Sequence, residues 1–74
     1  MTIAVERYAG YRGDQEPRAF TIGARRLEVV SVEDRWSGPD YRYFRVRASD
    51  GDTYVLRRDD AADAWTLGAF RRGR

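Results

Sequence analysis

The chain has 74 residues, no cysteine, and a net charge of +2 from 14 basic and 12 acidic residues. Disulfides and thiolate metal sites are therefore excluded, and so is any long apolar span of the roughly 18 residues that cross a membrane. Every basic residue is arginine; with histidine, lysine and cysteine all missing, the usual general base and covalent nucleophiles are absent, and the chain is expected to be neither an enzyme nor a cofactor protein.

A chain of this length buries only about 60% of its unfolded surface. It is read as one domain over residues 1–70, with a basic tail at 71–74. No charged-then-apolar leader opens the sequence, which fits a cytoplasmic protein with no membrane attachment.

Residues 2–8 form a first strand with Ile3 and Val5 on one face. Residues 9–17 are rich in glycine, acid and proline and read as a loop. Gly10 and Gly13 match no phosphate-binding motif, and Arg12-Gly13-Asp14 is turn chemistry. A short strand follows over 18–22. Gly23-Ala24 fits a type II′ turn, with glycine at the position needing positive φ. That turn pairs Ile22 with Arg25 and Phe20 with Leu27.

The next strand runs to about residue 35. Its apolar phase shifts between Val29 and Val30, which predicts a bulge or strong bend there. Residues 36–40, Trp-Ser-Gly-Pro-Asp, read as a turn. Trp36 is left with two readings, a cap on the barrel end or an exposed platform.

Residues 41–58 are the most patterned stretch. Phe44, Val46 and Ala48 point one way; Tyr43, Arg45 and Arg47 point the other. Asp50-Gly51 marks a hairpin turn. A two-residue turn would put Arg57 on the apolar face. A three-residue loop, Ser49-Asp50-Gly51, with Gly51 as a left-handed bulge, instead pairs Val46 with Tyr54, Phe44 with Leu56 and Tyr43 with Arg57. A one-residue slip turns every side chain over, so the apolar pattern selects the bulged loop.

Residues 59–63 form an acidic turn, read as a single helical turn capped by Asp59 or Asp60. Trp65, Leu67 and Ala69 make a final strand, with Trp65 in the core. No segment has helical periodicity. The expected fold is all-β, a small antiparallel SH3-like barrel or strongly bent sheet of five to six strands. The expected core is Ile3, Val5, Phe20, Ile22, Leu27, Val29, Val32, Phe44, Val46, Tyr54, Leu56, Trp65 and Leu67.

Few residues suggest chemistry. Glu33 and Asp34 are adjacent in a strand and so should face opposite ways rather than converge. Asp59, Asp60 and Asp63 lack the alternating ligands of a calcium loop, and no metal site is expected. The remaining candidate is the outward face of the main hairpin: Tyr41, Tyr43, Arg45, Arg47 and Arg57, with Trp36 beside it. This face suits a protein partner or a second copy of the chain. The alternative is weak, sequence-independent binding of single-stranded nucleic acid, with bases stacked on the tyrosines and phosphates on the arginines. An ordinary cross-strand contact of Arg57 on Tyr43 would also explain part of the pattern.

The runs Pro17-Arg18-Ala19-Phe20, Arg25-Arg26-Leu27-Glu28-Val29-Val30, Asp34-Arg35-Trp36, Tyr43-Phe44-Arg45-Val46, Asp50-Gly51, Tyr54-Val55-Leu56-Arg57 and Trp65-Thr66-Leu67 resemble a family of short bacterial single-domain proteins of unassigned function. Related-looking domains occur near or attached to Y-family DNA-polymerase-like proteins of damage tolerance. The resemblance covers most of the chain from Pro17 to Leu67, rests on turn glycines and core aromatics, and brings no catalytic residue. It implies a DNA-associated accessory role.

Overall fold

The computed structural model describes residues 2–7 and 16–72. Six strands follow one another: β1 (Thr2–Arg7), β2 (Pro17–Ile22), β3 (Arg25–Ser37), β4 (Tyr41–Ala48), β5 (Thr53–Asp59) and β6 (Ala64–Arg71). Each pairs antiparallel with the next, and β6 returns to β1 to close a barrel. This is the small antiparallel barrel expected from the alternation. Among the described residues there is no helix, and so none long and apolar enough to cross a membrane. Tyr8, most of the glycine-rich loop with its Arg12-Gly13-Asp14, and the last two residues of the basic tail lie outside the described residues.

The barrel interior is made by the apolar phase of each strand. Ile3, Phe20, Leu27, Phe44, Val46, Tyr54, Leu56 and Trp65 are buried; Val5, Ile22, Val29, Val32 and Leu67 pack against them. Ala19 and Ala48 add small buried contacts. Phe20 meets Tyr54 edge-on, with ring centroids 5.0 Å apart, the T-shaped geometry that aromatic quadrupoles favour. Pro17, expected in the loop, instead opens β2 opposite Arg7. The first residue of a strand is a position where its missing N–H does little harm.

β3 is the long strand that joins the two halves of the barrel. Its first part, up to Glu28, pairs with β2; from Val29 onward it pairs with β4. The bend falls where the apolar phase shifts. Val29 opposes Ala48 and Ser31 opposes Arg47, so Val30 is an extra residue, turned out and 66% exposed. The hairpin turn braces the bend, because the Ser49 N–H donates to the Glu28 carbonyl at 2.8 Å and the Glu28 N–H donates back to Ser49 Oγ. A second bulge follows. Val32 opposes Val46 and Asp34 opposes Arg45, leaving Glu33 as the extra residue.

The turns follow their residues. Gly23 has φ of 62° while Ala24 stays at negative φ, and Ile22 pairs with Arg25. In the main hairpin Gly51 has φ of 87°; its N–H donates to the Ala48 carbonyl and the Ala48 N–H to the Asp52 carbonyl, both at 2.9 Å. The pairs Val46–Tyr54, Phe44–Leu56 and Tyr43–Arg57 are those of the bulged three-residue loop. The acidic turn is not helical. The Asp59 carboxylate accepts the Ala62 N–H, and Asp63 completes the reversal at positive φ. β3 runs on through Ser37, which moves Trp36 out of the turn and into the strand. β6 likewise runs through Arg71, which pairs with Thr53 and so belongs to the sheet rather than to a tail.

Candidate binding face

Residues directly opposite one another in neighbouring strands share a face, so the registers lay out the outer surface row by row. One row is Trp36–Tyr43–Arg57–Thr66, from β3 across to β6. The next is Asp34–Arg45–Val55–Ala69, and the third is Ser31–Arg47–Thr53–Arg71. All six residues singled out in the sequence lie on this side. They fall into two groups, aromatic at one end and basic at the other.

The aromatic end is a continuous stack. The Trp36 and Tyr43 rings are stacked, with centroids 5.3 Å apart and planes 5° from parallel. Tyr41 meets Tyr43 edge-on at 5.3 Å. The Arg57 guanidinium sits over Tyr41, 4.6 Å from its centroid, rather than over Tyr43 as the cross-strand pairing suggested. Tyr43 already has Trp36 on one face, which leaves Tyr41 as the free π surface. One glycine makes room: a Cβ on Gly38 would come within 3.2 Å of the Tyr41 ring. Trp36 is 45% exposed and is therefore a platform, not a cap. Trp65, by contrast, is buried against Phe44.

The basic end is partly neutralised. Glu33 reaches Arg47 at 3.2 Å and Arg45 at 3.9 Å, and Asp34 reaches Arg45 at 3.7 Å. The expectation that Glu33 and Asp34 diverge is thus overturned. The bulge at Glu33 breaks the strict alternation of the strand and turns both carboxylates toward β4.

β6 holds the residues that sequence reasoning missed. Val55 opposes Ala69 and Leu56 opposes Leu67, so Gly68 is an extra residue. The bulge turns Ala69 outward, against the expectation that it shares a face with Leu67. It also sets Phe70 against the Tyr54 ring at 5.1 Å, leaving Phe70 50% exposed. A lone glycine inside a strand pattern is the signal that would have found this shift.

The resulting groove of about 740 Å³ runs between the Glu33 bulge and the end of β6, lined by Arg45, Arg47, Phe70, Arg71 and Arg72 over a floor of Thr53 and Val55. Among the described residues, the ion pairs that involve this groove engage Arg45 and Arg47 and leave Arg71 and Arg72 out.

The acidic turn is spoken for. Asp60 pairs with Arg42 at 3.1 Å and lies 3.6 Å from the Arg58 Nε, while Asp63 pairs with Arg58. Arg58 itself lies over the Trp65 ring. At the other end, Tyr54 donates a 2.6 Å hydrogen bond to Asp50. Burial, then that hydrogen bond, push the Tyr54 hydroxyl up to about 12. Burial acts to raise Asp50, but the bonds from Tyr54, the Asp52 N–H and Arg25 outweigh it and hold the carboxyl below its usual range. Asp50 and Tyr54 fasten the hairpin turn to the core.

No known family model, curated protein or solved structure matches the chain, so its function is read from this geometry.

Proposed function

We propose that this protein is a non-enzymatic cytoplasmic accessory module that docks a protein surface, a second copy of itself included, through the aromatic end of its outer face. The observation that carries the reading is the Trp36–Tyr43 stack, open to solvent and fixed in place. Rigid aromatic side chains lose little conformational freedom on binding, and Trp, Tyr and Arg dominate the anchors of protein interfaces. Tyr41 and Arg57 brace the stack from the side.

Binding of single-stranded nucleic acid across Tyr41, Tyr43, Arg45, Arg47 and Arg57 is less well supported at this end. The Tyr43 face that a base would use is covered by Trp36, and Arg45, the next arginine along that face, lies between the Glu33 and Asp34 carboxylates.

The test uses a photo-crosslinking residue at Ser37, beside the platform, with the same residue at Glu28, on the outside of the other half of β3, as control. A discrete adduct from position 37, absent from position 28 and lost on Trp36→Ala, is expected. Light scattering across protein concentration identifies the adduct as a second copy if the mass doubles. An adduct that survives Trp36→Ala, or none at position 37, overturns the reading. Truncating a central aromatic anchor should cost about 2 kcal/mol or more of binding.

A further inference from the structure

The groove at the basic end is a different kind of site. Its two rows put Arg47 and Arg71 on either side of Thr53, with Arg45 and Val55 one step along the strands. Residues two strands apart are separated by about 10 Å, and same-face neighbours along a strand by about 7 Å. Those spacings bracket the distance between successive phosphates in an extended single strand. Four guanidiniums and the Glu33 carboxylate line the groove, and Asp34 lies 3.7 Å from Arg45 at its edge. Arg71 and Arg72, at the end of β6, are the two that Glu33 does not reach. Planar guanidinium forks bind phosphate oxygens two at a time. Phe70 opposes Tyr54 on the inner side of β6 and packs on its ring; half exposed, it stands at the rim where the groove meets the barrel mouth. A fixed, open ring beside a row of phosphate-binding groups is the combination that a single strand needs, because every base has a π face to stack.

We infer that this groove binds single-stranded nucleic acid, with phosphates on Arg47, Arg71 and Arg72 and one base against Phe70. An acidic peptide is disfavoured, since its carboxylate side chains offer no planar ring for Phe70 to stack on. The site is separate from the aromatic platform and stands or falls without it.

Fluorescence anisotropy of a labelled twelve-residue thymidine oligonucleotide, at low salt, tests this. Saturable binding is expected. If about three phosphates are neutralised, log affinity falls with log salt at a slope near −2 for single strands. The double variant Arg71→Ala/Arg72→Ala, at the exposed end of the last strand, should keep the melting temperature and flatten the slope by more than half. Phe70→Leu keeps an apolar contact for Tyr54 while removing the ring. It should weaken binding roughly fivefold to a hundredfold, the factor that 1–3 kcal/mol per stacked base implies. Inorganic polyphosphate and a polyglutamate peptide of equal charge complete the comparison. Both should bind more weakly than the oligonucleotide and be indifferent to Phe70→Leu. No binding at millimolar protein, binding unchanged in the double arginine variant, or equal binding of all three polyanions would overturn the inference. Failure of crosslinking at Ser37 leaves it untouched.

Discussion

The inner and outer faces of β4 and β5 are built from alternate residues of the same hairpin, yet they are made of different chemistry. Inside, Phe44, Val46, Tyr54 and Leu56 are at most 5% exposed and pack in the apolar core, with only the Tyr54 hydroxyl reaching a carboxylate, that of Asp50. Outside, Tyr43, Arg45, Arg47 and Arg57 touch rings, carboxylates and water. The inner face supplies stability through burial, where each methylene counts. The outer face supplies little stability, because exposed ion pairs contribute about 0–1 kcal/mol. One strand therefore presents two chemistries, alternating with a period of two residues, that can be changed separately.

The largest effect should come from the inner face. Leu56 is fully buried, so Leu56→Ala should cost about 2–5 kcal/mol in urea unfolding. The folded fraction should still bind its ligands normally. A loss of binding in molecules that remain folded would show that the two faces are coupled.

The turn that fixes which residues face inward comes next. Nothing lies within 4 Å of a Cβ at Gly51, but its φ is 87°. Gly51→Val should therefore lose more than about 1 kcal/mol through backbone strain alone. Gly51→Asn, which tolerates this conformation, should lose less. Equal losses would point to a different register.

A third effect separates the faces by pH. The Tyr54 hydroxyl is raised above its ordinary 10 to about 12, so the folded state keeps a proton that the unfolded chain gives up. The stability this represents is complete below pH 10 and is lost as pH rises through 10 to 12. Asp50 acts in the opposite sense. Its contribution is present above its ordinary value of 3.8 and fades as pH falls through the lower folded value. Tyr54→Phe should flatten the alkaline limb of a stability profile followed by near-ultraviolet circular dichroism. An unchanged alkaline limb would refute the Tyr54–Asp50 link.

The smallest change in stability should come from the outer face. Glu33→Gln should alter unfolding by less than about 1 kcal/mol, while releasing Arg45 and Arg47 and strengthening oligonucleotide binding. A large destabilisation would mean that the bulge depends on its carboxylate.

Most of the fold was legible because its signals are local and agree. Alternation, Asp50-Gly51 and Gly23-Ala24 fix the hairpin registers, and the phase shift at Val29-Val30 marks the bend. The site was legible only in part. Glu33-Asp34-Arg35 is charged on both faces, so it offers no apolar phase from which the second bulge could be seen. The convergence on Arg45 was hidden with it. Trp36 was placed in a turn because Gly38-Pro39 follows it, although the strand needs only those residues and Asp40 to reverse. At the other end, Gly68 interrupts a strand whose remaining residues, Ala69 to Arg71, are too few to show a new period. Phe70 and Arg71 were lost to the site for that reason.

Among the described residues, two pairs close the barrel, Thr2 with Thr66 and Ile3 with Trp65. Every other pairing joins strands consecutive in the chain, which keeps contacts local and assembly fast. This last one joins the two ends of the domain and bears the largest loop-closure entropy. Closure of the β1–β6 seam is therefore expected to follow formation of the consecutive hairpins. In the native state the same seam should be the first to breathe, with amide exchange in β1 faster than in the β4–β5 hairpin. The proposed binding face would then stay ordered while the far side of the barrel opens.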